Sequence, residues 1–201
     1  MIRLPARDLP GPIAEKLATW QRELDSLPDH ATRVLAAQHR FWLSNRVDNP
    51  TFAEVRRTLA SLTCGAQRCM YCEDSCADEV EHIRPKRLYP EATFVWTNYL
   101  YACGPCNSPK GSRYPLLVDG QLHLPDGKAS PPPGVHLLID PRSEDPCEFL
   151  SVDLLGTFRI SPRRGLDPIA TLRASETINL LRLNREVLCT SRRHAYGNYV
   201  D

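Results

Sequence analysis

Two Cys-x-x-Cys knuckles, Cys69/Cys72 and Cys103/Cys106, constrain this chain more than any other feature. Each can present two thiolates to one tetrahedral ion, and together they complete a four-thiolate zinc site. Closing that site brings together the ends of a 30-residue insert. Such an insert exceeds the spacer of a simple zinc ribbon, so it must form structure of its own. Cys64 and Cys76 stand at x4 and x3 spacings from the nearest knuckle, which suit a chelate less well, and are read as bystanders. Cys147 and Cys189 stand alone and are expected to be buried as small apolar residues.

The first twenty residues hold no apolar run of signal-peptide length, and nothing later reads as a membrane span. A cytoplasmic protein with no membrane contact is therefore expected, in which clustered thiols stay reduced and hold metal rather than form disulfides.

The flanks read as helical. Ile13, Leu17, Trp20, Leu24 and Leu27 recur at helical spacing over residues 12–27. Asp29 can cap a second helix with Val34, Leu35, His39 and Trp42 on one stripe. Asn49-Pro50-Thr51 starts a third through Phe52, Val55, Leu59 and Leu62. The Trp and Leu stripes are assigned to the core. Between the knuckles, "EVEHIRP" reads as a strand ended by Pro85 and "NYLYAC" as a second strand, followed by a short helix over "GPCNSPKG" that Pro109 keeps brief. Residues 119–134 read as a linker, residues 147–162 as a hairpin turning near Gly156, and residues 167–184 and 185–200 as two closing helices. The class is α+β, with a helical region over 1–63, a knuckle-bearing core over 64–115, and a linker, hairpin and helices over 116–201.

Net charge is only +1, but it is unevenly spread. Residues 80–114 carry five Lys/Arg against two acids, and residues 159–193 eight against three, while 115–158 carry two against seven. Basic stretches beside the knuckles suit a polyanion, and arginine-rich solvated helix faces give the same count.

The order "VEHIRPK … WTNYLYACGPCNSPKG" resembles the HNH endonuclease family, whose ββα-metal core places a carboxylate–His pair on the first strand, an Asn at the second and a His or Asn on the helix. Several of its members staple that core with two zinc knuckles placed as here. A wider stretch, 64–195, with "LLIDPRSEDP" and "INLLRLNREVL", is similar to the PtuB-like HNH proteins of Septu-type and retron-linked anti-phage systems. The resemblance implies a zinc-stapled ββα core flanked by helices, hydrolysis of DNA phosphodiesters, and an ABC/SMC-like ATPase partner.

The residues make chemical sense for that reaction. It needs a deprotonated water and neutralisation of charge on the phosphate. His82 can take the proton, because imidazole titrates near neutrality. Glu81 and Asn107 offer hard oxygen ligands that suit magnesium or manganese. Asn98 would hold the loop or the His82 backbone, and Arg84, Lys86 and Lys110 lie close enough in sequence to reach phosphates. Strand alternation sets Glu81 and His82 on opposite faces, which a bulge or the strand end near Pro85 can relieve. Two positions depart from the family pattern: Glu81 replaces the commoner Asp, and Asn107 takes the last position in place of His. Two other readings stay open on sequence alone, a zinc-stapled module that binds nucleic acid or an ATPase without cutting, and an RNA or tRNA nuclease.

Overall fold

The computed structural model describes residues 1–65 and 67–200. Three helices come first: α1 (Gly11–Asp25), α2 (His30–Ser44) and α3 (Pro50–Ala60). Their starts follow the local chemistry read from sequence. The Asp29 carboxylate accepts from Thr32 N at the head of α2, and Asn49 Oδ1 accepts from Thr51 N and Phe52 N at the head of α3, with Pro50 in its first turn.

The stripe expected on α2 is off by one position. Val34, Ala37, Phe41 and Ser44 face the core, whereas Leu35 and Trp42 are 71% and 67% exposed. Ala37 and Ser44 have little side chain, so the helix packs closely through them while Phe41 fills the core between them. On α1 Leu17, Trp20 and Leu24 are buried while Ile13, and Leu27 just past the helix end, are half-buried against the core; on α3 the expected stripe is buried, with Trp20 stacked near Phe52.

The knuckle-bearing region folds as β1 (Glu79–His82), β2 (Tyr99–Ala102) and α4 (Gly104–Lys110). The strands pair antiparallel without interruption from Glu79↔Ala102 to His82↔Tyr99. Downstream, β3 (Leu116–Val118), β4 (Gln121–His123) and β5 (Val135–His136) form a small antiparallel sheet ordered β4-β3-β5, so the expected linker carries a strand. The hairpin of β6 (Leu150–Val152) and β7 (Ile160–Pro162) turns where expected, with the Asp153 carboxylate accepting from Leu155 N and Thr157 N. Helices α5 (Pro168–Leu180) and α6 (Glu186–Val200) close the chain.

One apolar core runs through all three regions. It draws on Leu17, Trp20 and Phe52 from the first helices, Val80 and Tyr99 from the strands, and Leu181, Leu183 and Leu188 from the C-terminal end. The aromatic rings of Trp20, Phe41, Phe52, Phe94 and Tyr99 pack edge-to-face and tilted against one another. They bind the N-terminal helices to the segment between the strands. No helix among the described residues is long and apolar enough to cross a membrane.

Candidate functional site

The four knuckle cysteines converge. Cys69, Cys72, Cys103 and Cys106 are all buried, and their sulfurs lie within 4.8 Å of one another. A tetrahedral zinc with bonds of about 2.3 Å needs sulfurs roughly 3.8 Å apart, so the donor set fits a structural zinc. Local backbone shapes both knuckles. Glu73 N donates to Cys69 O and Cys69 N to Ser75 O, while Cys106 N and Asn107 N donate to Cys103 O as α4 begins. Arg185, just ahead of α6, sets both guanidinium nitrogens 3.4 and 3.5 Å from Cys106 Sγ, where its charge would offset that of zinc-bound thiolates. Cys64 and Cys76 are exposed and stand apart from the cluster. Cys147 is exposed and Cys189 half-buried, so neither is the core cysteine expected; Cys147 falls in a one-turn segment at the surface.

Beside β1 lies a cleft of about 560 Å³, lined by Glu79, Glu81, His82, Lys86 and Asn107 together with Phe41, Asn45 and Arg56 from the N-terminal helical region. Glu79 and Glu81 share a strand face by alternation. His82 joins them as the last residue of β1, so the strand end rather than a bulge resolves the conflict of faces.

His82 is 3% exposed, and its Nε2 lies 2.9 Å from Thr93 O. A carbonyl only accepts, so Nε2 carries the proton and Nδ1 keeps its lone pair. No protein group among the described residues hydrogen-bonds Nδ1. Burial holds the imidazole well below its ordinary 6.5; Lys86 and Lys110 act in the same sense, and the Thr93 carbonyl opposes them. The ring is therefore neutral near pH 7. Phe41 meets it edge-on at 4.4 Å between centroids.

The Thr93 carbonyl is itself held in place. Gln21 of α1, 8% exposed, donates to Pro90 O and accepts from Phe94 N, clamping the segment on both sides of Thr93. Asn98 fixes the same loop from behind: Oδ1 accepts from Arg84 N at 2.8 Å, while Nδ2 donates to Arg84 O and Ala92 O. Asn98 thus sits off the cleft and shapes it through the backbone. Gln21, Phe41 and Arg56 were not legible as site residues, because each reaches the site across a long sequence separation, and Thr93 acts through a backbone carbonyl that its residue type does not announce.

The three basic residues expected at phosphates part company. Lys86 lines the cleft, its Nζ 4.6 Å from the Phe41 ring centroid, and burial holds its ammonium below the usual lysine range. Arg84 is exposed on the far side of the loop, in a separate hollow with Asp140 and Arg142. Lys110 is not a surface contact at all. It is fully buried, its Nζ 2.5 Å from Glu81 Oε1 and donating to His82 O at 2.8 Å. The approach to Glu81 is an ion pair by distance, without well-angled hydrogen-bond geometry. Asn107, one residue past the last cysteine, donates Nδ2 to Glu79 Oε2. Glu79 is the cleft residue missed in the sequence, and its i, i+2 spacing to Glu81 on a strand was the available signal.

The Glu81 carboxylate and the Asn107 amide offer hard oxygens on the cleft, a donor set that fits magnesium or manganese.

Over 59 residues the chain is 41% identical to the Septu protein PtuB of Bacillus thuringiensis. The shared stretch is 27% of this chain and 23% of PtuB, so the chain matches about a quarter of that protein's length. No protein-family model matches the chain. The relation is therefore PtuB-like and partial, set in an α+β fold with a buried cluster of four cysteines.

Proposed function

We propose that this protein is a metal-dependent HNH endonuclease that hydrolyses DNA phosphodiesters, with β1, β2 and α4 as a ββα-metal core stapled by zinc. The observation that carries this reading is the His82 ring. Its tautomer is set by the Thr93 carbonyl, its basic Nδ1 is unpaired, and it lines one cleft with Glu81 and Asn107.

In this reading Nδ1 of His82 accepts the proton of a water as the water oxygen bonds to phosphorus and the phosphorus–oxygen bond of the leaving strand breaks. Glu81 and Asn107 would hold a magnesium or manganese ion. When bound, that ion supplies positive charge against the phosphate and leaving oxygens. Lys86 contacts a phosphate oxygen from the cleft wall, and Asn98 keeps the loop behind His82 in register.

The PtuB-like stretch supports a place in an anti-phage system beside an ABC/SMC-like ATPase, which would restrain cutting until a phage cue releases it. Nicking of supercoiled plasmid by the purified protein with magnesium or manganese tests the chemistry. His82→Ala should slow it about 10²–10⁴-fold while zinc content and DNA binding persist. Wild-type rates in that variant would refute the mechanism. A labelled RNA run in parallel decides the nucleic acid, and co-purification with the ATPase on size exclusion decides the partner.

A further inference from the structure

We propose that Glu79 is a positioning residue of the cleft: it turns the Asn107 amide so that Oδ1 faces the divalent cation, and it is not itself a ligand. The inference rests on the nuclease reading above.

Two carboxylates at i and i+2 on one strand face invite the reading that both bind the cation. The geometry argues against it for Glu79. Asn107 Nδ2 donates to its Oε2, and its Oε1 lies against the first residue of α4, where a Cβ added to Gly104 would come within 3.4 Å. Both oxygens are turned onto α4. Glu81 differs, since only its Oε1 is engaged, by Lys110.

A terminal amide is ambiguous without such a partner. Its oxygen and its amino group have nearly the same shape, and the torsion that exchanges them is broad and two-fold. Only the oxygen can ligate a hard cation. A carboxylate can only accept, so it selects the amino group and leaves Oδ1 as the end available to the cleft. Partners of this kind, one step behind a ligand, commonly govern metal affinity by about 10–100-fold.

The test is a titration of the purified, zinc-loaded protein with Mn2+, read by the loss of free-ion signal in electron paramagnetic resonance. Glu79→Gln should bind Mn2+ about 10–100-fold more weakly with zinc content and melting temperature unchanged. Asn107→Asp alone sets two carboxylates against each other and should also weaken binding. The double variant Glu79→Gln/Asn107→Asp restores a donor–acceptor pair with roles exchanged and an oxygen towards the cleft, so its affinity should return towards the wild-type value. A ligand role for Glu79 predicts the opposite, a double variant as weak as Glu79→Gln. Wild-type affinity in Glu79→Gln, or no recovery in the double variant, overturns the proposal. A wild-type protein that takes up no Mn2+ in the cleft and cuts no DNA overturns the nuclease reading, and the proposal with it.

Discussion

Replacing Lys110 by methionine tests how the cleft is held together. The ammonium is completely buried, and Glu81, 7% exposed, lies 2.5 Å away. Methionine keeps the length of the stem and removes the charge, so packing changes little. What remains is a buried carboxylate without its counter-charge and a His82 carbonyl without its donor. Breaking a buried pair from one side costs about 3–5 kcal/mol, because the surviving charge stays desolvated. For a chain of this size, roughly 2–4 °C of melting temperature is lost per kcal/mol, which puts the expected drop at about 6–20 °C. The assay is thermal unfolding with zinc saturating and no added magnesium or manganese. Glu81→Gln on top of Lys110→Met removes the stranded charge, and the double variant should regain most of the loss. A drop of less than about 1 kcal/mol in Lys110→Met would mean that the pair is solvated and tradeable like a surface bridge, and the reasoning would fail.

Three further outcomes follow from the same geometry. His136 on β5 is held below its ordinary 6.5, by burial first and then by Arg84 and Arg173. A depressed folded pKa means that the unfolded chain takes up the proton first, so stability is lost as pH falls below about 6.5, and His136→Gln should narrow the gap between urea midpoints at pH 7.5 and pH 5. Asn98→Ala removes three hydrogen bonds to the loop behind His82 and should cost about 2–4 kcal/mol in urea unfolding, with the cysteine cluster still holding zinc by metal analysis. Cys103→Ser should lose zinc and melt earlier, and a full zinc complement in that variant would refute the ligand set.

How much of this was legible depended on the range of the interaction. The four-cysteine cluster could be read because the knuckles are local chemistry and only their meeting is long-range. The caps at Asp29 and Asn49 and the turn near Gly156 could be read for the same reason. Lys110 could not. In sequence it is one more charge beside the knuckle, and only the pairing of α4 with β1 shows that it is enclosed against Glu81. The α2 face was misread by one position: Leu35 and Trp42 were set on the core stripe, whereas Phe41 packs inward between the small residues Ala37 and Ser44. The clamp on Thr93 is invisible to any window, since Gln21 reaches it from more than sixty residues away.

The helix α4 ties these features into one device. It has seven residues with Pro109 inside it, far below the length at which a helix holds itself together in water. Its order must come from its contacts, and those lie at two sites. Cys103, its N-cap, and Cys106, in its first turn, belong to the sulfur cluster, where Arg185 also bears on Cys106. Asn107 and Lys110 reach back to β1, one to Glu79 and the other to Glu81 and the His82 carbonyl. Cys106 and Asn107 are adjacent, so a shift of the helix on its cysteines moves the cleft residues with it. A zinc ion at the cluster would therefore do more than supply folding energy to a small motif. It would set the position of Asn107 and Lys110 against the strand that carries Glu81 and His82, and the cleft would keep its shape only while the staple is closed.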